Sequence, residues 1–312
     1  MKAGAADHHR ILTQVQAWRG APMALATVVE TWKSAPCPVG THMLVHADGR
    51  FTGSVSGGCV EGDVLEIARQ VMADNSFAIR RYGVADGAAW EVGLPCGGDI
   101  VVLVQNVSAD YFPGTLFGAI IDAQASGRTL RIGTDLATGH SAIVDADIEG
   151  KFINDYLPPR RLIIVGAVEI AATLSKIARA MGIGVTLVDP RARFLTADRF
   201  PDVLRDDRWP DEAIRALLPD ARTAIVMLSH DPKIDDAALC AALESPAAYI
   251  AALGSKSSHL KRKERLTLLG VSKAQLDRIE GPAGVAINAI SAAEIALSIA
   301  AGVVRAFNDG LR

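Results

Sequence analysis

The chain has 312 residues, of which 50% are hydrophobic and 21% charged, with a formal net charge of −3. At about 150 residues per domain this length fits two domains, and the composition excludes an intrinsically disordered chain. The small negative balance argues against a protein that coats nucleic acid. With only four cysteines the chain is not a disulfide scaffold, and the reducing cytoplasm is the expected location. Residues Met1 to Arg10 lack the apolar centre of a signal peptide. The apolar run from Ala283 to Val304 is interrupted by Asn288, Ser291, Glu294 and Ser298. It reads as a buried strand end followed by a helix that starts at the capping-box pair Ser291 and Glu294, not as a membrane span.

In chain order, residues 11–20 are expected to form a first helix and Met23–Glu30 a buried strand. His42–His46 and Phe51–Val55 read as a hairpin across Asp48-Gly49. Asp63–Asn75 has helical spacing of Val64, Ile67, Ala68 and Val71, and Ile100–Val104 is a further strand. Residues 109–159 read as a connecting segment in which Thr129–Ile132 pairs with Ser141–Val144. Pro158-Pro159 marks the linker. Beyond it the pattern changes. Leu162–Val165, Val185–Val188, Thr223–Leu228 and Tyr249–Leu253 are short apolar runs alternating with helical segments, as in a parallel sheet with crossover helices. The expected fold is α/β: a C-terminal Rossmann-like parallel sheet in 160–312, plus a smaller N-terminal α+β domain in 1–108.

Two loops place a thiol among glycines at an element boundary. The first is Ser56-Gly57-Gly58-Cys59-Val60-Glu61, just before the helix at Asp63; the second is Cys96-Gly97-Gly98, just before the strand at Ile100. Glycine lets backbone amides approach a ligand, and a helix start favours anions and reactive thiolates. Cys59 and Cys96 are therefore candidate reactive thiolates or soft metal ligands beside an anion cradle, the alternatives being a thiol redox pair made by the two and, at Cys59, a tight turn around an inert thiol. Neither sits in a C-x-x-C, so a structural zinc site has little support. Cys37, between Pro36 and Pro38, lies in a stiff loop that either lines the same site or is incidental to it, the second reading being preferred, and Cys240 reads as filling of an apolar helix. Glu61 and Asp63 are either acid/base groups or ordinary first-turn acids.

The later loops carry a weaker signal. Gly166 opens a turn after the strand at Leu162, and Asp189 ends the next strand about 20 residues on, where a dinucleotide fold keeps its ribose-binding acid. Val168 occupies the position of the second glycine and Glu169 adds negative charge, which count against NAD(P). His230 and Asp231 follow the strand at Thr223, with Asp231-Pro232 as an N-cap and first-turn pair. Gly254 and Ser255, with Lys256, suit an anionic group. His8, His9 and His140 read as exposed terminal or loop residues.

Taken together, Ser34-x-Pro36-x-Pro38-x-Gly40, the two glycine–cysteine loops, Val188-Asp189-Pro190-Arg191 and Tyr249-Ile250-x-Ala252-Leu253-Gly254-Ser255 resemble the xanthine dehydrogenase accessory protein (XdhC/CoxI) family. The resemblance implies a molybdenum-cofactor chaperone that shields the finished cofactor while its terminal sulfur is installed. It then delivers the cofactor to an apo-molybdoenzyme of the xanthine or carbon monoxide dehydrogenase type. The implied partners are that enzyme and a cysteine desulfurase-type sulfurase; separately, the apolar C-terminal helix offers a surface for a homodimer, and the sequence leaves the oligomeric state open. The implied cofactor contacts are Ser56, Gly57, Gly58, Cys59, Glu61, Cys96, Gly97, Gly98, Gly166, Asp189, His230, Asp231, Gly254 and Ser255. This chain departs from the family at Val168 and Glu169, at Pro232 and around Ala286. All of these lie in the C-terminal half, which is expected to have drifted toward another ligand or a docking surface.

Overall fold

The computed structural model describes residues 5–33, 35–83, 98–229 and 231–309, so Cys96, Gly97 and His230 lie outside the described residues. The chain forms two units, Met1–Pro159 and Arg160–Arg312.

The first unit runs α1 (Ala5–Ala17), β1 (Met23–Trp32), β2 (His42–His46), β3 (Phe51–Gly53), α2 (Glu61–Asp74), β4 (Phe77–Tyr82) and β5 (Asp99–Asn106). Its strands form an antiparallel sheet in the order β3-β2-β1-β5-β4. The apolar stripe of α2, Val64, Ile67, Ala68 and Val71, packs on Ala24, Ala26, Val28, Val102 and Val104 of the central strands. The opposite face is covered by α1 and by residues from the segment read as a connector. That segment holds α3 (Thr115–Ala125) and a small sheet of β6 (Leu130–Asp135), β7 (Ser141–Ile143) and β8 (Lys151–Tyr156) in the order β7-β6-β8. Phe112, Leu116, Phe117, Ile120, Ile132 and Tyr156 share a core with Ile11, Leu12, Leu25 and Leu44. This two-sided burial explains why β1 is apolar almost throughout.

The second unit runs β9 (Arg161–Val165), α4 (Glu169–Ala180), β10 (Gly184–Val188), β11 (Leu204–Asp206), α5 (Pro210–Leu217), β12 (Thr223–Met227), α6 (Pro232–Leu243), β13 (Tyr249–Ala252), α7 (Lys256–Leu268), α8 (Lys273–Leu276), β14 (Ile279–Glu280) and α9 (Ala292–Asp309). All pairings are parallel, in the order β11-β10-β9-β12-β13-β14. The strand order reverses between β9 and β12, so the sheet has a topological switch point there. One face is covered by α4 and α9, the other by α5 and α6. The capping box at α9 forms as expected: Ser291 N donates to Glu294 Oε2 at 3.0 Å and Glu294 N to Ser291 Oγ at 3.2 Å. The strand expected just before it does not form; Ile287 and Ile290 are exposed in a loop. Among the described residues no helix is long and apolar enough to cross a membrane.

Candidate functional site

Antiparallel pairing brings the cysteine-bearing connections of the first unit to one end of its sheet. At that end Trp32 of β1 pairs with Asp99 of β5, and Tyr82 of β4 pairs with Ile100. Thr27 pairs with His42 at the start of β2, and Met43 with Gly53 at the end of β3. The loop holding Cys37 joins β1 to β2, and the loop holding Cys59 joins β3 to α2. The segment between β4 and β5, which contains Cys96, departs and returns at this same end. Its two roots touch: Gly83 packs directly against Asp99. The roots of the second and third connections are also tied, because Tyr82 Oη donates to Asp63 Oδ2 at 2.6 Å. Burial and then this carboxylate push the Tyr82 hydroxyl far above its ordinary pKa, so it stays a donor.

The interior of the β3–α2 loop corrects one expectation. Its amides do not form an open anion cradle, because Glu61 fills it. The Glu61 carboxylate accepts from Ser54 Oγ at 2.5 Å, Val55 N at 3.1 Å, Ser56 N at 2.9 Å, Ser56 Oγ at 2.5 Å and Gly58 N at 2.8 Å. The remaining amides are taken as well: Gly57 N donates to Ser54 Oγ, and Cys59 N and Val60 N donate to Ser56 Oγ. Burial alone would raise the Glu61 pKa, but the hydroxyls of Ser54 and Ser56 and the Ser56 amide outweigh it and hold the group at about 2. Glu61 is thus the loop's permanent internal anion, and the acid/base reading gives way to a positioning role. Gly57 and Gly58 sit at positive φ with open space where a side chain would project. The side chain presented outward is Cys59, exposed and in no disulfide, at the start of α2.

Cys37 and His42 are not among the expected site residues, yet both line a cavity of about 360 Å³ with Arg10, Pro36, Pro38, Thr41, Gly53 and Ser54. Ser54 is shared between this cavity and the Cys59 loop. His42 is fully engaged behind it, with Nδ1 at 2.9 Å from Thr27 Oγ1 and Nε2 at 2.9 Å from Tyr156 Oη. Burial, with His8 adding to it, holds His42 well below its ordinary pKa, so the imidazole is neutral. His8 is buried, not exposed as expected. It reaches the Gly40 carbonyl at 3.3 Å and lies 4.7 Å from the Tyr156 ring. His9 and His140 are exposed. The signal that could have found the Cys37 cavity is the hairpin pattern itself, since a β1–β2 connection must share a sheet end with the β3 exit.

In the second unit, the carboxyl ends of β9, β10 and β12 enclose a cavity of about 430 Å³ lined by Val168, Arg191, Leu228, Ser229, Asp231 and Pro232. Gly166 and Asp189 serve the fold here. A Cβ on Gly166, at φ +109°, would lie 2.8 Å from Ser229 N. Asp189 accepts from Ala167 N at 2.8 Å, and its oxygens take Arg191 Nε at 2.8 Å and Nη2 at 2.7 Å. Burial opposes ionisation, but Arg191 and the two backbone amides win and hold Asp189 below the usual carboxylate range. Its oxygens are occupied, so no ribose contact is on offer. Val168 N turns back on Gly166 O at 3.0 Å, so this amide is taken and is not offered to a pyrophosphate. Asp231 caps α6 by accepting from Lys233 N at 3.0 Å, and Ser255 caps α7 by accepting from Ser258 N at 3.1 Å. Cys240 is half-buried on α6, its thiol pushed up by burial, Asp236 and Glu244. Among the described residues no group of three or more His, Cys, Asp or Glu side chains is arranged to hold a metal ion.

The chain is 30% identical over 309 residues to the molybdenum cofactor insertion chaperone PaoD of Escherichia coli, covering 95% of this chain and 88% of that one. It belongs to the XdhC and CoxI family. The XdhC and CoxI family model matches residues 17–83, and the XdhC Rossmann domain model matches 162–303. A probable xanthine dehydrogenase subunit of Bacillus subtilis is 24% identical over 312 residues, covering 90% of this chain and 92% of that one. A crystal structure of a Bacillus halodurans protein described as a xanthine dehydrogenase superposes with a TM-score of 0.83 at 25% identity, covering 99% of this chain and 96% of that one. The matched family segments include Cys37 and Cys59, whereas Cys96 falls between them.

Proposed function

We propose that this XdhC/CoxI protein is a molybdenum-cofactor chaperone. It receives the finished pterin cofactor as cargo, shields it, and hands it to an apo-molybdoenzyme of the xanthine or carbon monoxide dehydrogenase type. A cysteine desulfurase-type sulfurase is the second partner, the compartment is the cytoplasm, and the working unit is a homodimer. The observation that carries the reading is the common rooting of the Cys37, Cys59 and Cys96 connections at one end of the N-terminal sheet. The 30% identity to a named cofactor insertion chaperone supports the same assignment.

The chemistry follows from the loop geometry. Thiolates are soft donors suited to a molybdenum–sulfur centre. Cys59 projects from a loop whose six successive amides, Val55 to Val60, are all held by internal acceptors, so the thiol is carried on a rigid base. The loop therefore contributes a side chain to the cargo and keeps its amides for itself. Cys96 supplies the second sulfur in this proposal. The filled Asp189 carboxylate and the taken amide of Val168 disfavour an NAD(P)-dependent oxidoreductase.

The test is anaerobic incubation with molybdenum cofactor, removal of unbound material, and measurement of molybdenum and pterin retained per chain. Retention by the wild type and its loss in Cys59→Ala plus Cys96→Ala is expected. No retention by the wild type, at concentrations where a working carrier loads fully, contradicts the assignment.

A further inference from the structure

The glycine turn that keeps a buried cation in reserve is in the second unit, between β13 and α7. Arg262 is 5% exposed, yet its Nε and Nη1 have no hydrogen-bond partner among the described residues. Nη2 donates to the Leu253 carbonyl at 2.8 Å, and Asp235 Oδ2 lies 3.9 Å from it, beyond hydrogen-bond reach. A buried guanidinium left with open donors is costly unless an acceptor visits it. The group lies directly against the turn: a Cβ on Gly254, at φ +136°, would fall 3.8 Å from Nη2 and 3.2 Å from Ser258 Cβ. Above it Ser255, Ser257 and Ser258 gather their hydroxyls, with Ser255 Oγ 2.8 Å from Ser257 Oγ and 3.0 Å from Ser258 Oγ. These serines and Lys256 are exposed, and the first turn of α7 contains no acidic residue. The first amides of a helix have no partner within it.

We propose that the β13–α7 turn, with the Arg262 guanidinium beneath it, is a seat for a phosphate group. The Lys256 and Ser257 amides at the start of α7, the three serine hydroxyls, Lys256 Nζ and Arg262 supply donors of one sign to a tetrahedral oxyanion, while Ser258 N stays on its cap. In the β9–α4 turn, where a parallel nucleotide-binding sheet usually takes its phosphate, Ala167 N is spent on Asp189 and Val168 N on Gly166, and Glu169 adds negative charge. The anion site has moved to another strand end on the carboxyl edge of the same sheet. The seat rests on the proposed function only for the owner of the phosphate, a pterin or nucleotide phosphomonoester. Its alternative source is free inorganic phosphate.

The experiment is isothermal titration of the full chain with inorganic phosphate and, separately, with a nucleoside 5′-monophosphate. Arg262→Lys probes the buried cation. Ser257→Glu keeps the helix, since an acid in the first turn favours it, and sets a carboxylate in the seat. Saturable binding that weakens at least about ten-fold in Ser257→Glu, with Lys261→Glu nearly unchanged, is expected from like-charge repulsion at a helix start. Tighter binding of the monophosphate than of phosphate assigns the seat to a phosphomonoester, and equal binding assigns it to the free ion. No saturable binding by the wild type, or equal binding by wild type and Ser257→Glu, overturns the proposal. Cofactor retention without phosphate binding sinks the seat alone, and phosphate binding without cofactor retention sinks the cargo alone.

Discussion

In the β3–α2 loop, every amide from Val55 to Val60 points inward onto Glu61, Ser54 or Ser56. In the β13–α7 turn, the serines face outward and a guanidinium below them has unspent donors. Both segments place glycine before a helix, and both look alike as a string of small residues. The difference lies in the supply of an internal anion. Where the first helical residue is Glu61, the loop closes on its own carboxylate and becomes a rigid mount for Cys59. Where no acid follows, positive charge accumulates and the turn is left open to an external anion.

The largest effect is expected from removing the internal anion. Glu61→Ala strands five donors, and a loss of on the order of 3 kcal/mol in urea-derived stability follows from the cost of buried unsatisfied groups. The same carboxylate sets an acid dependence. Its folded pKa of about 2 lies below the ordinary 4.5, so its contribution is complete above about pH 4.5 and fades as pH falls toward 2. Acid unfolding of Glu61→Gln, followed by circular dichroism, is expected to show a flatter slope over that window.

The next effects separate two glycines. Gly166→Ala forces a Cβ to 2.8 Å from Ser229 N at positive φ, and a loss of about 2 kcal/mol is expected in chemical denaturation. Gly57→Ala meets nothing within 4 Å, so only the backbone penalty of about 1 kcal/mol applies. If the two substitutions cost the same, the close approach at the first Rossmann turn has been misjudged. The smallest effect on stability is at the exposed thiol. Cys59→Ala is expected to stay within about 0.5 kcal/mol of wild type in the same denaturation series while losing cargo retention.

Much of the fold is legible in the sequence because its signals are local. The apolar run Leu162–Val165 and the helical stripe of Val64, Ile67, Ala68 and Val71 announce buried elements directly. The pairing expected between Thr129–Ile132 and Ser141–Val144 is equally readable, and β6 does pair with β7. The missing pieces are those whose burial depends on distant partners. Strand β4 carries exposed Arg80 and Arg81 on a sheet edge, and α3 and β8 look like linker until they are seen covering β1. His8 is a polar residue near the start of the chain whose burial depends on Tyr156 and Gly40. At the site, the glycine–cysteine pattern is visible in the sequence, but the direction of its amides is not, because that depends on where an acceptor arrives. Cys37 has prolines rather than glycines beside it and so lacks the local signal, although sheet topology puts its loop beside Ser54.

The central claim, that separate cysteine loops gather at one sheet end around a single cargo, is tested most directly by bridging their sulfurs. A short reagent that joins two thiols, applied under reducing conditions and followed by peptide mass mapping, is expected to link Cys59 to Cys96 in high yield. Bound molybdenum cofactor should block that link, and Cys240 should carry none. Recovery of Cys59 and Cys96 only as separate single adducts, with or without cofactor, would contradict the account.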